Sequence, residues 1–150
     1  MKTLILGMGN PILTDDRVGI LIARKLKENL DLKDIDVKET NQAGFYLIDL
    51  LAGYDRVIII DSIKTKKNRV GTIYRFSLED LFTTPRLVSI HEIDLNTAIE
   101  LGKKLGLKMP DEVILYAVEI EDNTTFSEKC TPDVERAIPL AVKMILEVIK

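Results

Sequence analysis

Short apolar runs closed by glycine or a carboxylate alternate along this chain with stretches whose apolar positions recur every three or four residues. Residues 3–6 form the first run, closed at Gly7, the pattern of a strand buried on both faces. In residues 17–29 the spacing of Val18, Leu21, Ile22, Ala23 and Leu26 predicts a helix, with Asp16 placed to cap it. Residues 35–39 read as a second strand, and residues 45–52 as a helix closed by Gly53. The most apolar strand spans residues 56–60 and ends at Asp61. Residues 70–76 alternate as an edge strand and residues 112–118 form another strand. A final amphipathic helix covers residues 133–149, with Thr131 as its cap and Pro132 at its first position. Ser89-Ile90-His91-Glu92 has the capping-box form S-x-x-E ahead of Ile93, Leu95, Ala98, Ile99, Leu101 and Leu105. His91 then lies in a first helical turn.

Repeated strand–helix units of this kind predict an α/β fold: a single three-layer α/β/α domain over residues 1–150. Its sheet should be twisted, five-stranded and mostly parallel, with helices on both faces and one antiparallel edge strand. No internal repeat, low-complexity segment or linker interrupts it. At 150 residues the chain buries roughly 70% of its unfolded surface, enough for one good core and too little for two domains.

Composition narrows the chemistry. With 21 basic and 24 acidic side chains the formal charge is −3, which argues against a partner held by bulk electrostatics, nucleic acid or anionic membrane. The single cysteine, Cys130, forms no internal disulfide and rules out cysteine-rich zinc modules. The single histidine, His91, rules out two-histidine motifs. No apolar stretch approaches the roughly 18 residues of a membrane span, and the first residues lack a signal-peptide pattern. A cytoplasmic location is the expectation.

In an open parallel sheet, ligands bind beyond the carboxyl ends of the strands, near the reversal in strand order. Asp15 and Asp16 follow the first strand, Asp61 follows the third, and His91 opens a helix from the same edge. The helix dipole disfavours an imidazolium at His91, leaving the neutral ring that ligates metals. Two carboxylates and an imidazole suit a hard or borderline divalent ion with open positions. The blander alternatives stay open: Asp16 as a helix cap only, Asp61 as a structural strand end, His91 as an ordinary surface or core residue. Gly7-Met8-Gly9-Asn10-Pro11-Ile12 starts like a dinucleotide fingerprint, but Ile12 replaces the third glycine and Pro11 removes an amide. Asp15 and Asp16 would also face the pyrophosphate. The loop resembles that of peptidyl-tRNA hydrolases as well, yet the histidine that family needs shortly after it is absent.

The run Leu4-Ile5-Leu6-Gly7-Met8-Gly9-Asn10-Pro11-Ile12-Leu13-Thr14-Asp15-Asp16 closely resembles the opening of the [NiFe]-hydrogenase maturation proteases. Ala43-Gly44, Ile59-Ile60-Asp61-Ser62-Ile63 with Gly71-Thr72-Ile73, Ser89-Ile90-His91-Glu92 with Leu95, and Thr131-Pro132-Asp133-Val134-Glu135 are similar to later family segments. The resemblance implies that Asp16, Asp61 and His91 bind metal, and that nickel is supplied by the substrate. It implies an endopeptidase that removes the C-terminal extension of a hydrogenase large-subunit precursor after nickel insertion, with Asp16 or Asp61 orienting or deprotonating the attacking water. A monomer is the expectation. The competing reading is a non-catalytic metal- or nucleotide-binding accessory protein on the same fold. Departures from the family pattern are Arg17, where many relatives have glycine, Thr40-Asn41 in place of a glycine pair, and the acidic segment Glu119-Ile120-Glu121-Asp122-Asn123. Arg17 is placed to pair with Asp16 or a substrate carboxylate, or else to be a solvated first-turn side chain. Cys130 has no second histidine to activate it and reads as a packing or surface residue. Ser62 lacks the G-x-S-x-G elbow of a serine nucleophile.

Overall fold

The computed structural model describes residues 1–30, 33–41, 46–83, 90–127 and 129–149; the side chains of residues 81–83 and 90–94 fall outside that description. The elements run β1 (Thr3–Met8), α1 (Val18–Asn29), β2 (Ile35–Thr40), α2 (Tyr46–Leu51), β3 (Arg56–Ile63), β4 (Ile73–Ser77), α3 (Leu78–Thr83), α4 (Ile90–Lys104), β5 (Glu112–Glu119) and α5 (Pro132–Ile149). They form one five-stranded sheet in the order β2-β1-β3-β5-β4. The β1–β2, β1–β3 and β3–β5 pairs are parallel, and β4 joins the edge antiparallel to β5. This is the α/β architecture expected from the alternation of apolar runs.

The pleat sends successive side chains to opposite faces, and each central strand feeds two cores. Ile5, Ile58, Ile60, Ile114, Tyr116 and Val118 pack with α1 and α5 on one face. Leu4, Leu6, Val57, Ile59, Val113 and Leu115 pack with α2 and α4 on the other. Such strands read as continuous apolar runs because neither face meets water.

All five strands outrun their expected ends, β2, β4 and β5 by one residue. β1 continues to Met8 and β3 to Ile63, so Asp61 lies inside a strand rather than ending it. The cause is pairing: β5 also continues, and Asp61, Ser62 and Ile63 align with Ala117, Val118 and Glu119. β4 starts at Ile73, three residues later than the alternation suggested, because Gly71 and Thr72 belong to a turn held by Gly71 N–H to Glu119 O at 2.8 Å. The short helix α3 has no counterpart in the apolar pattern. The Ser89–Glu92 capping box and the Ala43-Gly44 segment lie outside the described residues, though α4 does begin at Ile90.

Candidate active site

The chain goes from β1 outward to β2 and then returns to β3 on the far side of β1, so the reversal in strand order falls between β1 and β3. Helix α1 wedges its first turn into that point. A Cβ built on Gly19 would lie 2.3 Å from Ile60 O and 2.6 Å from Met8 O, so only glycine lets the helix approach both strand ends. The loop before it is equally tight. Gly9 sits at φ 148°, and a Cβ there would lie 2.0 Å from the Asp16 carbonyl oxygen. In the G-x-G pattern Gly9 thus serves the approach of the loop to Asp16, and Gly7 that of α1, where a Cβ would lie 2.6 Å from Gly19 O.

Asp16 and Asp61 meet at one cleft of ≈ 260 Å³, lined also by Ser62, Ile63, Lys64, Ile120 and Asn123. They reach it from different layers. Alternation along β3 places Ser62 on the α1 face with Ile58 and Ile60, and Asp61 on the α4 face with Val57 and Ile59. Ser62 ties the two acids together: its Oγ donates to Asp16 Oδ1 at 2.9 Å, and its backbone N–H donates to Asp61 Oδ1 at 2.8 Å. Asp16 Oδ2 accepts from Asn10 N–H at 2.9 Å. An ionised carboxylate offers about four lone-pair sites, so these contacts leave Asp16 able to accept a water proton or ligate a cation. Asp16 is therefore no helix cap; Arg17 holds the N-cap position of α1 and makes no capping hydrogen bond.

His91 is the second residue of α4, and its ring lies outside the described residues. Among the described residues no group of three His, Cys, Asp or Glu side chains is poised to hold a metal ion. The two oxygen donors at the cleft fit a hard or borderline divalent ion that brings its own further ligands.

The neighbouring acids have separate tasks. Asp15 is fully buried and accepts from Glu121 N–H at 3.0 Å, Asp122 N–H at 2.8 Å and Thr131 N–H at 2.7 Å. Thr131 adds its hydroxyl at 2.9 Å. The expected helix-capping hydroxyl of Thr131 is thus turned toward Asp15, while Pro132 does open α5. Backbone bonds continue the seam: Thr14 N–H to Thr125 O and Asp15 N–H to Asp122 O, both 2.8 Å. Together these hold the loop after β5, which carries Asn123, against the glycine loop.

Arg17 is 6% exposed, so it is not a solvated side chain. Its Nε and Nη2 have no hydrogen-bond partner among the described residues. Cys130 is buried, and burial, then Glu135 and Asp15, push its thiol up to about 12 against a smaller opposing effect of Arg17. That is an inert packing thiol.

Sequence reasoning passed over Ser62 as a link between the acids. The signal was available: the residue after a strand aspartate points to the opposite face if the strand continues.

A mostly parallel open sheet with two carboxylates at its switch point is an α/β enzyme-like arrangement suited to acid–base chemistry and unsuited to binding phosphate. Comparison with known proteins makes this specific. The family described as "HycI: Hydrogenase maturation protease" matches residues 20–148. The "Hydrogenase 2 maturation protease" of Escherichia coli (strain K12) is 30% identical over 154 residues, covering 100% of this chain and 92% of that protein. Among solved structures, the hydrogenase maturating endopeptidase HybD from E. coli superposes with a TM-score of 0.83 at 29% identity, covering 99% of this chain and 92% of that one. The HybD protease from Thermococcus kodakarensis gives 0.80 at 25% identity, with 100% of both chains covered. The chain belongs to the hydrogenase maturation protease family, and its role is that of a peptidase in hydrogenase processing.

Proposed function

We propose that this chain is an endopeptidase that removes the C-terminal extension of a [NiFe]-hydrogenase large-subunit precursor after nickel has entered that subunit, with Asp16, Asp61 and His91 completing the coordination of the substrate's nickel. The observation that carries the reading is the pairing of Asp16 and Asp61 on one cleft through Ser62. A site that offers only these few ligands and no cysteine suits an ion delivered by the substrate rather than a resident one. Nickel held there would polarise the scissile carbonyl. Asp16, oriented by Asn10 and Ser62, is placed to hold the attacking water and accept its proton, with Asp61 as the second carboxylate. Cys130 takes no part, because its thiol stays protonated.

The test incubates the protein with nickel-loaded and nickel-free precursor and reads intact mass. Loss of a C-terminal peptide from the loaded precursor alone, abolished by Asp16→Asn, Asp61→Asn and His91→Ala, is the expected result. No cleavage of a matched loaded precursor, or equal cleavage by the three variants, overturns the proposal.

A further inference from the structure

The loop that leaves β3 carries four cations in six residues, Lys64, Lys66, Lys67 and Arg69, in a chain whose net charge is −3. All four are exposed, and among the described residues none forms an ion pair with a carboxylate. Lys64 lines the cleft of Asp16 and Asp61 directly.

This loop is held in one shape from below. Glu119, 1% exposed at the end of β5, accepts from Thr65 N–H at 2.8 Å, from the Thr65 hydroxyl, from Lys66 N–H at 3.4 Å and from the Tyr74 hydroxyl at 2.8 Å. Asn68 Nδ2 donates to the same Tyr74 oxygen at 2.9 Å, closing the far side of the loop. Lys66 sits at φ 62°, a left-handed conformation uncommon for a residue with a long side chain. A buried carboxylate satisfied by four hydrogen bonds thus fixes the backbone while the four cations stay exposed. The segment after β5, which lends Ile120 and Asn123 to the cleft, has Glu121 and Asp122 between them, and neither of these acids lines the cleft.

We propose that residues 64–69 are the docking surface for an acidic segment of the protein substrate next to its scissile bond, orienting the peptide so that its negative stretch leaves the cleft on the β3 side. The inference rests on the peptidase reading above. A preorganised cationic loop at the mouth of the cleft raises the encounter rate with an acidic segment and fixes its register.

The experiment compares wild type, Lys66→Glu/Lys67→Glu, and Lys103→Glu/Lys104→Glu, a control of equal charge at the end of α4 remote from the cleft. One arm measures KM and kcat for nickel-loaded precursor at 50 and 300 mM NaCl. The other follows, by anisotropy, a fluorescein-labelled twelve-residue Glu/Asp peptide, its Gln/Asn counterpart and a single-stranded oligonucleotide. The loop variant should raise KM about tenfold with kcat unchanged and lose the acidic peptide, the control should do neither, and wild-type KM should rise with salt. Unchanged KM in the loop variant, or preference of the loop for the oligonucleotide, overturns the docking surface. Should wild type leave the precursor intact, the peptidase reading fails by itself, and the peptide arm still decides: binding lost in the loop variant alone keeps the surface, and binding unchanged overturns it.

Discussion

Replacing Asp15 by asparagine exchanges one carboxylate oxygen for an amide NH2 in a site whose backbone partners are all donors. Oδ2 faces the N–H groups of Glu121 and Asp122, and Oδ1 faces Thr131 N–H. With the amide turned either way, at least one backbone N–H meets another donor. A buried donor left unmade costs about 1–3 kcal/mol, and the remaining bonds fall from charge-assisted to neutral strength, roughly 1 kcal/mol more in sum. We therefore expect Asp15→Asn to lose about 3 kcal/mol, a large share of a total stability of roughly 5–15 kcal/mol. For a domain of this size that lowers Tm by about 6–12 °C. Urea unfolding followed by circular dichroism, with the slope compared to confirm two-state behaviour, measures it directly. Cleavage of the loaded precursor should fall with it, because the loop bearing Asn123 loses its anchor. A loss below about 1 kcal/mol would refute the view that Asp15 is the staple between the two loops.

Three further outcomes follow from the same geometry. Ser62→Ala removes the hydroxyl that orients Asp16, so cleavage should drop about 10- to 100-fold while stability falls by only about 1–2 kcal/mol; unaltered cleavage in the mass assay would show that Asp16 needs no such support. Glu119 is raised by burial but lowered more by its bonds from Thr65, Tyr74 and Lys66, leaving its carboxyl below the ordinary value of 4.5. Its contribution is present above that value and lost as pH falls through the folded one, so the stability gap between wild type and Glu119→Gln should narrow on acidification below about pH 4.5, and a gap independent of pH contradicts it. Cys130 should resist alkylation at pH 8 in the folded protein and react once unfolded, and Cys130→Ala should cleave precursor like wild type; rapid labelling of the native thiol would count against a packing role.

What could be read from the sequence follows the strength of each local signal. Strands β1, β3 and β5 are apolar on both faces, so their existence and the parallel sheet were legible from composition within short windows. Their ends were not, because the extension of β3 through Asp61 depends on a partner strand more than 50 residues away. The same limit hid the roles of the aspartate pair. Nothing local separates Asp15 from Asp16; one is buried by a loop from residues 121–131 and the other faces the cleft. Helix-capping logic assigned Asp16 to the start of α1 because that is the prior for an aspartate before an apolar period. Gly19 overrides that prior by drawing the helix against Met8 and Ile60, which turns the Asp16 carboxylate to Asn10 and Ser62.

The architecture explains why so few chemical residues suffice. Asp16 arrives from the α1 layer and Asp61 from the α4 face of β3, so the two carboxylates flank the carboxyl edge of the sheet instead of lying side by side on one helix. A ligand held by both must reach the carboxyl edge of the sheet beside the first turn of α1, where the strand order reverses between β1 and β3. Ser62 couples the two positions because consecutive residues of a strand point to opposite faces: its side chain serves one acid and its backbone the other. Moving Asp61 by a single position along β3 would place its carboxylate with Ile60 against α1 and leave the α4 side without an acid. The register Asp61↔Ala117 is therefore as much a determinant of the site as the aspartate itself.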